Sequence, residues 1–246
     1  MSESREVFVV LGGSGYVGQA VVRLLRNFGK PVLFTYGRNK TQASRLTDET
    51  GAQSFHLEAE DDAASARLAN HIDGQTVGAL INCLGIVGDP ALYERDLDGP
   101  AKFQAIDLAN WNTMQTVSVS SFFSICQALQ PRFANPANVV VVGSIDGVKS
   151  VPAPVHYAAA KAALSGMVRA LGKALGPQGV CVNMIAAGIL DGGLGKLLSP
   201  KLREQYLKHC ALKRLGTADE VASLAVWLAL KNRYINGQAI VMDGGL

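Results

Sequence analysis

Short apolar runs alternate with helix-patterned stretches along the entire chain, and no other feature constrains the fold as much. EVFVVL (6–11), PVLFTYG (31–37), AQSFHLE (52–58), VGALINCLG (77–85), ANVVVVGS (137–144), VCVNMIAAG (180–188) and QAIVMDGG (238–245) read as strands. They are continuous apolar runs rather than alternating ones, as strands buried on both faces require. Helical spacing falls between them, over 16–28, 40–50, 61–72, 109–130, 155–176, 199–210 and 217–230. In the first of these, Val17, Val21, Leu24, Leu25 and Phe28 share one face. The alternation predicts an α/β fold: one doubly wound, Rossmann-type domain whose parallel sheet of about seven strands carries helices on both faces.

The bulk numbers agree with that reading. A chain of 246 residues suits one domain over 1–246, and 48% apolar with 17% charged residues predicts a sizeable core. A net charge of +3 with no Lys/Arg run argues against nucleic-acid or membrane-surface partners. The chain has no run of 18 apolar residues, and MSESREVFVVLGG has no basic stretch leading into an apolar one. A cytoplasmic protein is therefore expected. Cys83, Cys126, Cys181 and Cys210 form no CxxC and read as reduced thiols. His56, His71 and His209 lack metal-ligand spacing, so no metal is expected. The longest irregular stretch is 86–108, rich in Asp, Gly and Pro, and a loop of that size is often functional.

Ligands of such sheets bind beyond the carboxyl ends of the strands. LGGSGYVGQA (11–20) follows the first strand and opens the first helix, with Gly12, Gly15 and Gly18 in G-x-x-G-x-x-G spacing. Glycines permit a tight turn and let the backbone approach a pyrophosphate, for which the helix N-terminus offers unpaired N–H groups. After the second strand, TYGRNK (35–40) has no acid to bind ribose hydroxyls but carries Arg38 and Lys40. A guanidinium there suits a 2′-phosphate, so NADPH is favoured and NADH is the alternative.

Ser144 ends VVVVGS; Tyr157 follows thirteen residues later and Lys161 four after that. At i and i+4, Tyr157 and Lys161 share a helix face. A phenol of ordinary pKa, about 10, is a poor acid–base at neutral pH, and a nearby ammonium would lower it. The set suits hydride transfer to a ketone, with Ser144 holding the carbonyl and Tyr157 supplying the proton. The competing reading of YAAAKAAL is a helix with a small-residue packing face. Asp146 and Asp191, which follow the fifth and sixth strands, read first as loop residues that cap or solvate, with lining of the pocket as the alternative. His156 should point away from its neighbour Tyr157.

These landmarks, in order, resemble the classical branch of the short-chain dehydrogenase/reductase family over essentially the whole chain. Further matches are INCLG (81–85), GSIDG (143–147), VNMIAAG (182–188), KRLGTADEVASLAVWL (213–228) and MDGG (242–245). The resemblance implies a Ser144–Tyr157–Lys161 catalytic set, with Lys161 also binding the nicotinamide ribose. It also implies a cofactor site that includes Ser14, Tyr16 and Val17 in the first turn. Glu58 and Ala59 would lie near adenine, and Asn82, Leu84 and Gly85 after strand four. Ala187, Gly188 and Ile189 follow strand six. Residues 1–145 would form mainly the cofactor half and 146–246 the catalytic half, with 86–108 and 189–210 flanking the pocket.

The chain departs from that pattern at several points. Tyr16 stands in place of a glycine and crowds the pyrophosphate side. Ser118, seven residues after Trp111, replaces the usual catalytic asparagine. Ala187 replaces proline, and Gly192 replaces the threonine that often contacts the carboxamide. The expected function is reduction of a ketone, β-ketoacyl or polyketide-like, free or on an acyl carrier protein, by a homotetramer or homodimer. The alternatives are a cofactor-binding or assembly subunit with little activity, and an alcohol dehydrogenase acting on a small free ketone or alcohol.

Overall fold

The computed structural model describes residues 5–86 and 103–246. Seven strands form one sheet: β1 (Arg5–Leu11), β2 (Val32–Tyr36), β3 (Gln53–His56), β4 (Gln75–Asn82), β5 (Phe133–Ser144), β6 (Val180–Ala187) and β7 (Ala239–Met242). The order is β3-β2-β1-β4-β5-β6-β7, and every pair is parallel. The strand order reverses between β1 and β4, which opens a crevice at their carboxyl ends.

Helices cover both faces. They are α1 (Tyr16–Asn27), α2 (Lys40–Thr50), α3 (Ala64–His71), α4 (Leu108–Gln115), α5 (Ser121–Leu129), α6 (Val155–Leu175), α7 (Pro200–His209) and α8 (Ala218–Leu230). The pleat of β1 divides its side chains between two cores. Val9 and Leu11 join Leu68, Phe122 and Leu164 on one face; Phe8 and Val10 join Val21, Leu46 and Val226 on the other. Each buried Leu or Phe contributes about 1.5–3 kcal/mol of apolar burial. A strand with both faces buried needs apolar residues at every position, hence its unbroken run in the sequence.

Two elements differ from expectation. The helix expected over 109–130 is interrupted by a π-helical turn, Thr116–Ser120, between α4 and α5. Strand β5 begins at Phe133 rather than at 137, with a register shift in its pairing with β4. Asn135-Pro136 breaks the apolar run there and hides the strand's beginning from pattern analysis. Of the 86–108 stretch, 87–102 lies outside the described residues. The other flanking segment, 189–210, contains a 3-10 turn at Gly193–Leu197 and then α7.

Candidate active site

The glycine turn is built for close approach. Gly12 has φ +67°, a left-handed conformation that suits glycine. Its N–H donates to Thr35 Oγ1 at 2.9 Å, and Gly13 N–H donates to the Thr35 carbonyl at 2.8 Å. Buried Thr35 thus pins the turn to the end of β2, a role with no signal in the sequence. Gly18 lies so close to the turn that an added Cβ would come within 2.2 Å of the Gly12 carbonyl oxygen. At the start of α1, Gly15 provides no side-chain cap and the first turn carries no acid. The first N–H groups of α1 therefore have no carboxylate competing for them, and they suit a pyrophosphate. Ser14 lends its carbonyl to Gln19 Nε2 at 3.0 Å.

The neighbouring strand ends contribute further polar groups. Asn82 is buried at the end of β4, and its Oδ1 accepts from Leu84 N–H at 3.0 Å. Its Nδ2 has no partner among the described residues. A buried amide without a partner is costly, and here it sits beside the crevice. Leu84 is half-buried and Gly85 exposed just beyond. Arg38 and Lys40 are exposed after β2; Glu58 is exposed after β3, 3.7 Å from His56, with half-buried Ala59 next to it. Ala187 is buried at the end of β6. Gly188 donates to the Met242 carbonyl, and a Cβ there would come within 2.4 Å of the Tyr206 hydroxyl. Ile189 N–H donates to that hydroxyl at 3.3 Å.

Tyr16, first residue of α1, is turned away from the helix cradle. Its hydroxyl donates to the Asp191 carboxylate, and its ring lies against Gly192. A Cβ on Gly192 would stand 2.4 Å from two ring carbons. The two departures at 16 and 192 therefore form one contact, which joins the start of α1 to the segment after β6. Val17, behind Tyr16, is half-buried against the core.

Ser144, Tyr157 and Lys161 meet at the carboxyl end of β5. The 3-10 turn Ile145–Gly147 is seated directly on α6: a Cβ on Gly147 would come within 2.5 Å of the Lys161 carbonyl oxygen. Lys161 is 3% exposed, with Nζ 5.2 Å from the centroid of the Tyr157 ring. Burial pushes the Lys161 ammonium down to about 8, against the pull of the nearby Asp146 charge. The Tyr157 phenol moves up, contrary to the expected lowering. Burial is the main cause and the Asp146 charge adds to it, while the neighbouring Ser144 hydroxyl works the other way. Lys161 lies over the ring face, and its burial weakens its hold on the proton, so it does not offset those two effects.

Sequence reasoning ranked Asp146 below its weight here, favouring a loop role over one in the pocket. Asp146 accepts a hydrogen bond from the Ser144 hydroxyl, and its own N–H lies 3.4 Å from Ser144 Oγ. Its place just beyond a strand's carboxyl end was the available signal. Ser118 is buried in the π-helical turn, and its hydroxyl lies 3.6 Å from Met114 Sδ. That turn packs against α6. His156 is fully buried, and neither ring nitrogen has a partner among the described residues; burial lowers its pKa and favours the neutral ring. No group of residues among those described could hold a metal ion.

Crevice, glycine turn and Ser-Tyr-Lys set together define a Rossmann-type oxidoreductase. The chain belongs to the short-chain dehydrogenase/reductase family: the family model described as enoyl-(acyl carrier protein) reductase matches residues 14–246. It is 31% identical over 249 residues to a 3-oxoacyl-[acyl-carrier-protein] reductase, FabG, of Chlamydia muridarum, covering 97% of this chain and 96% of that one. Among solved structures it is similar to BdcA in complex with NADPH, with a TM-score of 0.85, 25% identity, and 98% and 94% of the two chains covered. It is also similar to a blue fluorescent protein from a metagenomic library in complex with NADPH. That match has a TM-score of 0.87 and 25% identity, and covers 100% and 99% of the chains. The family is one of NAD(P)-dependent oxidoreductases acting on CH–OH and C=O groups.

Proposed function

We propose that the protein reduces a ketone to a secondary alcohol with NADPH. One observation carries this reading: Tyr157 and Lys161 on α6 face Ser144 at the end of β5, beside a crevice whose glycine turn suits a pyrophosphate. In this reading the backbone of the glycine turn and the start of α1 (Ser14, Gly15, Tyr16, Val17) and the Asn82–Gly85 strand end hold the dinucleotide, with Ala187–Ile189 beyond β6. Arg38 faces the 2′-phosphate in this reading, and the NADPH complexes of the similar structures support that cofactor. Glu58 and Ala59 border the adenine end. NADPH supplies the hydride when bound. Ser144 holds the carbonyl oxygen, Tyr157 delivers the proton to it, and Lys161, over the Tyr157 ring, is the cation nearest the phenolate left behind. Ser118 sits where a water of the proton path would be held. His156, buried and neutral, packs behind Tyr157 and moves no proton.

The named FabG relative supports a β-ketoacyl substrate, free or on an acyl carrier protein. Among the described residues no helix is long and apolar enough to cross a membrane, which fits a cytoplasmic enzyme. Exposed Phe123 on α5 and Val155 on α6 fit a homodimer or homotetramer. The test is turnover of a panel of β-ketoacyl thioesters and free ketones with NADPH. Tyr157→Phe should cut kcat about 100-fold or more with the fold intact. Full activity in that variant would end this mechanism. A second reading, a cofactor-binding or assembly subunit with little activity, draws on the Tyr16–Asp191 contact across the crevice. It predicts no turnover with any member of the panel.

A further inference from the structure

The Ser144 hydroxyl has one proton, and in this structure that proton is given to Asp146. An ionised carboxylate accepts only, so while Asp146 is charged the direction of the bond is fixed. Ser144 then offers a carbonyl oxygen lone pairs, not a donor. If Asp146 carries a proton instead, its own O–H can donate to Ser144 Oγ, and the Ser144 proton is free for the substrate.

We propose that Asp146 is a positioning residue for the carbonyl, controlling through its hydrogen bond to Ser144 whether Ser144 donates to the substrate oxygen. This rests on the ketoreductase reading given above. Nothing is consumed in the step. The hydride goes to carbon and the Tyr157 proton to oxygen; Ser144 and Asp146 finish with the protons they began with.

The surroundings of Asp146 fit such a role. Its turn is pressed onto the backbone of α6 at Lys161, which fixes the backbone that carries the carboxyl group. Burial raises its pKa, the Ser144 hydrogen bond and the Lys161 charge lower it, and burial is the largest of these. Among the described residues, the titratable groups that feel its charge are Lys161 and Tyr157, both on α6. Lys149, from the same loop, is turned to Asp243 and the Leu246 carbonyl at 2.5 and 2.6 Å. The Asp146 charge also opposes ionisation of Tyr157. One carboxylate thus acts on two groups of the site: it takes the donor from Ser144 and holds the proton on Tyr157.

The test compares wild type with Asp146→Asn, whose amide can donate to Ser144 and leave the serine proton free. For wild type, the KM for ketone should climb with pH as Asp146 ionises. For Asp146→Asn it should stay flat, so that at alkaline pH the variant's kcat/KM exceeds wild type by about 5- to 10-fold, one hydrogen bond's worth. The advantage should vanish at acid pH and in a Ser144→Ala background. Superimposable pH profiles, or an equal effect with and without Ser144, would overturn the proposal. A second measurement does not need turnover: alkaline difference absorbance of Tyr157, assigned by subtracting Tyr157→Phe. Asp146→Asn should move that ionisation to lower pH; an unmoved titration overturns the placement of the Asp146 charge. If neither protein reduces any ketone while the titration moves, the ketoreductase reading fails and the charge relationship stands.

Discussion

The Tyr16 hydroxyl donates to the Asp191 carboxylate, joining the first turn of α1 to the segment after β6 across 175 positions of sequence. The ring that makes this bond fills the space a side chain at 192 would need. A glycine at one position and a tyrosine at the other are two halves of one packing solution.

This relationship predicts a specific non-additivity. Gly192→Ala should destabilise the protein by about 1–3 kcal/mol, the usual cost of overpacking. In a Tyr16→Gly background the same change should cost much less. Denaturant melts of the four proteins check this; equal costs in both backgrounds would mean the ring and Gly192 are not in contact.

Tyr16→Phe keeps the ring and removes only the hydroxyl. The segment carrying Asp191 then loses its tie to α1. Stopped-flow fluorescence should show NADPH leaving several-fold faster, with Asp191→Asn weaker in the same sense. Unchanged dissociation rates in both variants would show that the bond does not hold the crevice closed.

Arg38 is exposed just after β2; its carbonyl accepts from Lys40 N–H, and its side chain makes no hydrogen bond among the described residues. A charge-assisted pair with a 2′-phosphate contributes about 1.5–3 kcal/mol. Arg38→Ala should therefore weaken NADPH binding about 10- to 100-fold and leave NADH binding unchanged. Equal losses for both cofactors would place Arg38 elsewhere on the dinucleotide.

Lys161 sets a pH dependence whose sign can be worked out. Its ammonium falls from the ordinary value of 10.5 to about 8 in the folded chain because of burial. Below about pH 8 both states are charged and the full burial cost is present. As pH rises from about 8 to about 10.5 the folded state sheds the proton first, so stability increases. The shift corresponds to about 3 kcal/mol. Lys161→Met should remove this rise, seen as a growing advantage of wild type over the variant between about pH 8 and 10. Taking the difference cancels the opposite trend from Cys83, whose thiol burial pushes up to about 12. A pH-independent difference would mean that Lys161 is not held in a dry site.

Thr217 caps α8 in a reciprocal arrangement. Its hydroxyl accepts from Glu220 N–H at 3.2 Å, and Glu220 Oε2 accepts from Thr217 N–H at 2.9 Å. Thr217→Ala should cost about 1 kcal/mol of stability and lower Tm by a few degrees, without changing cofactor affinity. A drop in cofactor affinity would instead link the start of α8 to the crevice.

The strands and the catalytic set were legible because each has a local signature. Parallel strands covered on both faces are near-continuous apolar runs, and Ser144, Tyr157 and Lys161 keep a fixed spacing along β5 and α6. The π-helical turn was hidden because WNTMQTVSVSS keeps helical character throughout, and one residue inserted into a turn leaves no mark on composition. Asp146 and Asp191 looked like loop residues because their partners are fixed by the fold. For Asp146 the bond is local, but its meaning depends on α6 lying beneath the turn. For Asp191 the partner sits at the opposite end of the chain. The raised Tyr157 and lowered Lys161 were equally invisible, because both follow from burial.

The sheet ends on its two shortest strands, β3 and β7, each of four residues. An open edge offers unpaired backbone donors and acceptors to any neighbouring chain, and a short edge offers few. The long strands β4, β5 and β6, largely apolar, are held inside the sheet. While the fold is intact, then, the stretches best able to seed cross-β association are sealed by their neighbours. Losses on storage or heating should therefore track global unfolding rather than edge-to-edge stacking of native molecules.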